Sequence, residues 1–163
     1  MSRFWILLFA GLSGVPAVSG KGYDHTWVIG MHELPGVPGF NNALIQFTPD
    51  SIKVTETDLG MNFESTVGVM SDSSGQLLFY TNGCRIAGAN GQTLSAGDGL
   101  NPGEMHDCVC AKTGYVCPRG AMALPKPGHP NKYLLFHMGA RYDPVRKLTY
   151  GPFYYTAIDM ALN

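Results

Sequence analysis

Apolar residues in this chain come in short segments, and each is cut within a few positions by Gly, Pro, Asn or Asp. That pattern constrains the fold more than any other feature. A helix needs apolar positions recurring at i, i+3, i+4 and i+7 over ten or more residues, whereas strands of four to eight residues need only alternation and a turn signal at each end. Helical periodicity is hard to find, so the chain reads as strands and turns. The composition agrees: 21 glycines and 11 prolines accompany charged residues at only 14%, as many turns between short strands produce. An aromatic content of 11% argues against disorder.

Thr26 to Ile29 predicts a first strand, Asn42 to Thr48 a second, and Ile52 to Thr57 a third by its alternation. Pro49-Asp50 between the last two is a turn signal. Thr66 to Asn82 predicts a hairpin. Val67 and Val69 alternate with smaller residues, Ser71 to Gly75 supply a tight turn, and Leu77 to Thr81 form a strand apolar on both faces. Such a strand is buried between neighbours. A second hairpin follows, with Ala121–Leu124 and Tyr133–His137 as strands and Pro125 to Asn131 as the turn, then a strand from Phe153 to Ile158. Asp72 and Gly75 in one turn, and Pro127 and Gly128 in the other, are the structural turn residues, with glycine free to take positive φ.

The exception to short apolar segments is the N-terminus. Arg3 precedes an apolar run from Phe4 to Leu12, then small residues lead to Ala17 and Ser19. A basic n-region, a short apolar region and a small-x-small site describe a cleavable signal peptide over residues 1–19, and the run is too short for a membrane span of about 20 residues. The expected compartment is therefore extracellular or cell-surface, with no membrane span after cleavage. The charge balance is near neutral, with 11 Lys and Arg against 12 Asp and Glu. Nothing forms the basic stripe that nucleic-acid binding requires.

An even number of cysteines in an exported chain predicts disulfides. The four are Cys84, Cys108, Cys110 and Cys117. A bridge between Cys108 and Cys110 is disfavoured by the usual Cα spacing. This leaves Cys84 with Cys108 plus Cys110 with Cys117, or Cys84 with Cys110 plus Cys108 with Cys117.

The two hairpins resemble each other: Leu77-Leu78-Phe79 falls on Leu134-Leu135-Phe136, 57 positions on from Leu77 to Leu134. Repetition at that spacing suggests four-stranded propeller blades, with a β-sandwich as the alternative. Ser71 to Gly83 is also similar to the "SDSNGNLLFYTDG" segment of large secreted proteins of Bacteroidota. Further matches follow in order: Asn90-Gly91-Gln92 with Gly97 to Leu100, then Ala123 to Gly128 with Asn131-Lys132-Tyr133 (the family's "IVPKPGNPNKYYIFT"), then Tyr154 to Asn163 (its "YSVVDMSLNGG"). Trp27 to Gly30 sits at the family's early "W.FG". Those proteins carry an N-terminal propeller-like region, often with immunoglobulin-like or PKD-type modules and a type IX secretion sorting domain. The resemblance spans roughly residues 27–163. It implies an all-β chain over residues 20–163, a partial β-propeller of about one and a half four-stranded blades that is incomplete at its C-terminal side, with missing downstream blades or modules as partners. The segment Met105 to Pro118, with three cysteines, departs from the family.

That departing segment gives the candidate site. Glu104, His106, Asp107 and Arg119 are candidate ligand-contact residues, with the loop 97–118 expected to be presented for protein or glycan contact. His106 and Asp107, beside the cysteines, have the residue types of a metal site, but export favours a disulfide-stapled loop, so no metal and no cofactor is expected. His25, His32, His129 and His137 show no Ser-His-Asp order or serine elbow. Glu64, Asp72, Asp98 and Asp107 match no calcium loop. Aromatic strand positions such as Trp27, Phe79, Phe136 and Tyr154 read first as packing. The expected function is a secreted or cell-surface binding or structural module contacting a surface protein or glycan. The alternative is a fragment of a glycoside-processing propeller enzyme.

Overall fold

The computed structural model describes residues 22–30 and 41–162; the expected signal peptide and His32 lie outside them. Strands β1 (Thr26–Ile29), β2 (Asn42–Phe47) and β3 (Ile52–Thr57) form one antiparallel sheet in that order. A second joins β4 (Gly68–Ser71), β5 (Leu77–Thr81) and β6 (Ile86–Gly88), and a third joins β7 (Ala121–Pro125), β8 (Lys132–Asp143) and β9 (Lys147–Asp159). One short helix, α1 (Glu104–Val109), lies between β6 and β7. The chain is thus all-β in its architecture.

Local chemistry sets the turns. In the β4–β5 turn the Asp72 carboxylate accepts from the Ser74 and Gln76 backbone N–H groups and the Ser74 hydroxyl, which frees Gly75 to take φ 87°. A Cβ on Gly75 would also lie 2.8 Å from the His25 ring. Asp143 does the same work in the β8–β9 turn, accepting from the N–H groups of Val145 and Arg146. Gly128 takes φ 76° in the β7–β8 turn.

The sheets stack through the middle one. Phe79 and Tyr80 are consecutive on β5 and so point to opposite faces. Phe79 packs with Met70, Tyr133, Leu135 and Ile158 in a core shared with the third sheet, its ring 5.6 Å edge-on to that of Tyr133. Tyr80 packs with Val28 and Ala87, with Leu44 against them, in a core shared with the first sheet, and donates its buried hydroxyl to the Leu59 carbonyl. Burying each such side chain contributes about 1.5–3 kcal/mol. A polar chain crosses the second interface. The Asn101 amide donates to the Gly83 carbonyl, which turns its oxygen toward His137 Nδ1, 2.8 Å away. His137 Nε2 meets the Thr156 hydroxyl at 3.0 Å. Nδ1 is therefore the donor to Asn101, and burial lowers the imidazole's pKa, which favours the neutral ring with Nε2 accepting from the Thr156 hydroxyl.

Two expectations need correcting. The described residues hold three sheets of three strands, not one and a half blades of four. The hairpin match at 57 positions saw only paired strands. It passed over β6, whose three residues Ile86–Gly88 are too few to alternate, and left β1–β3 uncounted as a sheet. Strands β8 and β9 also run well past His137 and begin well before Phe153. Gly139, Gly151 and Pro152 lie in that stretch and are accommodated at a bulge between Met138 and Ala140. The backbones approach closely at that point: a Cβ on Gly151 would lie 3.2 Å from Gly139.

Candidate functional site

The segment from Leu100 to Arg119 is fastened to the strand ends of the second and third sheets. Tyr115 is its anchor. It is 1% exposed, its N–H donates to the Asn82 carbonyl and its own carbonyl accepts from Thr66. Its hydroxyl accepts the Ala140 N–H at 2.8 Å, at the β8 bulge. Burial pushes this phenol upward in pKa. Thr66 adds a bond to the Cys117 carbonyl, and Asn62 one to the Lys112 carbonyl. At the far side a disulfide joins Cys84 to Cys110, with Cα atoms 5.5 Å apart.

Cys108 and Cys117 are free thiols, the first exposed and the second buried, so the expected second bridge does not form. Helix α1 explains this. Residues two apart on a helix are about 200° apart around its axis, so with Cys110 turned to Cys84, Cys108 faces away from the body. Cys117 lies beneath β8 with its Sγ 3.7 Å from the Gly139 carbonyl, and burial raises its pKa.

Between the start of α1 and the long β8–β9 hairpin is a cleft of about 320 Å³, at the lower end of small-ligand sites. Its walls include Glu104, Tyr115, Arg141, Tyr142, Pro152 and Tyr154. The ring of Tyr154 is stacked on His137 at 5.5 Å, so the polar core fixes its orientation. The cleft combines flat aromatic faces, one carboxylate and one guanidinium, which recognise a ligand presenting both apolar faces and hydrogen-bonding groups.

Of the four candidate loop residues, only Glu104 lines this cleft. His106 Nδ1 lies 3.2 Å from the carboxylate of its neighbour Asp107, and its buried Nε2 has no hydrogen-bond partner. Arg119 sits at φ 56° ahead of β7, outside the cleft lining. Among the described residues no three His, Cys, Asp or Glu side chains converge to hold a metal ion. Asp72 and Asp98 instead accept from nearby backbone N–H groups. Arg141 and Tyr142 escaped the sequence reading because β8 was expected to stop at His137. Tyr154 was visible as an aromatic strand position, though not as a cleft wall.

Among the described residues no helix is long and apolar enough to cross a membrane. No family model, curated protein or solved structure matches the chain.

Proposed function

We propose that the chain is an exported, propeller-like binding module that holds a glycan at the cell surface in the cleft between α1 and the β8–β9 hairpin. The observation that carries this reading is the pairing of Tyr142 and Tyr154 with Glu104 and Arg141 around one concave site. Aromatic rings offer flat apolar area to sugar rings, and the charged pair offers an acceptor and a fork of donors to hydroxyls. Rigidity adds to it: Tyr115 and the Cys84–Cys110 bridge hold the walls in place, which lowers the ordering cost of binding. Export is supported by the residue 1–19 pattern and by the disulfide, which oxidising compartments favour. The propeller-like assignment rests on the stacking of small antiparallel sheets and on the resemblance of Ser71 to Gly83 to secreted Bacteroidota proteins. Glycoside hydrolysis takes a pair of carboxylates within about 10 Å, and the cleft lining offers Glu104 as its acidic residue. Binding is therefore the reading its chemistry favours over cleavage.

The test is a glycan array followed by calorimetry on the exported protein. Binding of a glycan that is lost in Tyr154→Ala and in Arg141→Ala supports the proposal. Absence of any glycan ligand, or binding unchanged in both variants, overturns it.

A further inference from the structure

Strands β8 and β9 run past the rest of their sheet. Strand β7 pairs with β8 only as far as His137, whereas β8 and β9 stay paired out to Asp143 and Lys147. Beyond Met138 the hairpin is therefore a two-stranded ribbon, and it ends in the turn Pro144-Val145-Arg146. Its register sorts the side chains onto two faces. The cross-strand pairs Ala140 with Tyr150 and Tyr142 with Leu148 share one face, and Arg141 with Thr149 and Asp143 with Lys147 share the other. Ala140, at the root of the first face, packs with Tyr115, so that face begins at the body of the protein and runs out to the tip.

The tip joins apolar exposure to positive charge. Val145, in the turn itself, is 88% exposed, and Tyr142 and Tyr150 are each more than half exposed, with Leu148 beside them. Three cations, Arg141, Arg146 and Lys147, stand here against one carboxylate, Asp143. None of the three forms an ion pair among the described residues. Asp143 is already engaged, since its Oδ1 accepts from the Val145 and Arg146 N–H groups. The turn does not call for a lysine either: Lys147 sits at φ 69°, a conformation in which glycine or asparagine is the easier residue.

A lipid interface matches this combination at every point. It takes an apolar tip just below its headgroups, seats tyrosine rings at headgroup level with their hydroxyls wet, and draws cations to its negative charge. A soluble polyanion would engage Arg146 and Lys147 but leave Val145 and Leu148 in water. We infer that the tip of the β8–β9 hairpin docks on an anionic lipid surface, with Val145 entering the headgroup layer and Arg146 and Lys147 meeting its phosphates. The contact is peripheral and lies beyond the glycan reading, because Val145, Arg146 and Lys147 stand outside the cleft lining.

The experiment is cosedimentation of the exported protein with vesicles of phosphatidylcholine alone and with vesicles of equal parts phosphatidylcholine and phosphatidylglycerol. Binding to the second and not to the first is expected, and it should weaken as salt screens the charges. The double variant Arg146→Gln, Lys147→Gln should bind about fivefold less for each cation removed. Val145→Ser should weaken binding several-fold without altering the charge, and Val145→Trp should tighten it. All three side chains are exposed at the turn, so each variant should keep the wild-type denaturation midpoint and circular dichroism. No binding to the anionic vesicles overturns the inference. So does binding that Val145→Ser and Val145→Trp both leave unchanged, which would assign the cations to a soluble polyanion or an acidic protein. Glycan binding is read separately, so its absence leaves this result untouched.

Discussion

The hydroxyl of Tyr115 accepts the backbone N–H of Ala140 at 2.8 Å, and this bond ties the cysteine-rich segment to the bulge of the longest hairpin. It serves two ends. At the register shift the Ala140 N–H takes the tyrosine hydroxyl as its acceptor. The same contact sets the floor of the cleft, which Tyr115 and Ala140 both line. In Tyr115→Phe the ring stays and the acceptor goes. A buried donor left unsatisfied costs about 1–3 kcal/mol, and the denaturation midpoint should fall by that equivalent with an unchanged m-value. Full retention of stability would show that water replaces the hydroxyl.

The disulfide and the two thiols make a prediction that mass spectrometry can read. Native protein treated with an alkylating reagent should take one label, at exposed Cys108. Unfolding without reductant should admit a second at Cys117, and reduction the remaining two at Cys84 and Cys110. A Cys84→Ser, Cys110→Ser double variant should lose about 2–5 kcal/mol of stability. Labels on Cys84 or Cys110 before reduction would contradict the pairing.

The strand pattern was legible in the sequence wherever alternation and turn chemistry coincided. Leu77 to Thr81 reads as a two-faced buried strand, and Phe79 and Tyr80 do serve two different cores. Legibility failed where tertiary contact overrode local signals. Gly139 and Pro152 break a strand in isolation but suit a bulge where two backbones touch. Helix α1 has six residues and no buried face, so it leaves no periodicity to find, yet its 200° turn between alternate residues decides which cysteine meets Cys84. The site followed the same division. Glu104 was found from the loop's polar residues, whereas Arg141 and Tyr142 reach the cleft only because the hairpin extends past His137.

His137 makes stability depend on pH with a definite sign. Folding holds it neutral and lowers its pKa below the ordinary value, so the unfolded chain binds the proton more readily. Stability is then fully present above the unfolded pKa of about 6.5 and declines as pH falls below it, by at most about 1.4 kcal/mol per pH unit, until the folded pKa is reached. His137→Gln should be less stable at pH 7.5, because the Thr156 and Asn101 partners lose their geometry, and should show a flatter decline between about pH 6.5 and 5. Equal slopes in the two proteins across that range would assign the acid sensitivity to other groups.

Phe79 and Phe136 occupy matching places 57 residues apart, each cross-strand from a methionine, but only Phe79 is covered by a following sheet. Phe79 is 0% exposed, so Phe79→Ala leaves a cavity between two packed sheets and should cost about 3–5 kcal/mol. Phe136 packs against Phe153 and Tyr155 on the outward face alone. Within a single chain, Phe136→Ala removes ring contacts worth about 0.5–1.5 kcal/mol each plus the area of a half-covered side chain, and the loss should be clearly smaller than at Phe79. Chemical denaturation of the two variants measures the difference, and equal losses would show that the outward face is covered in solution.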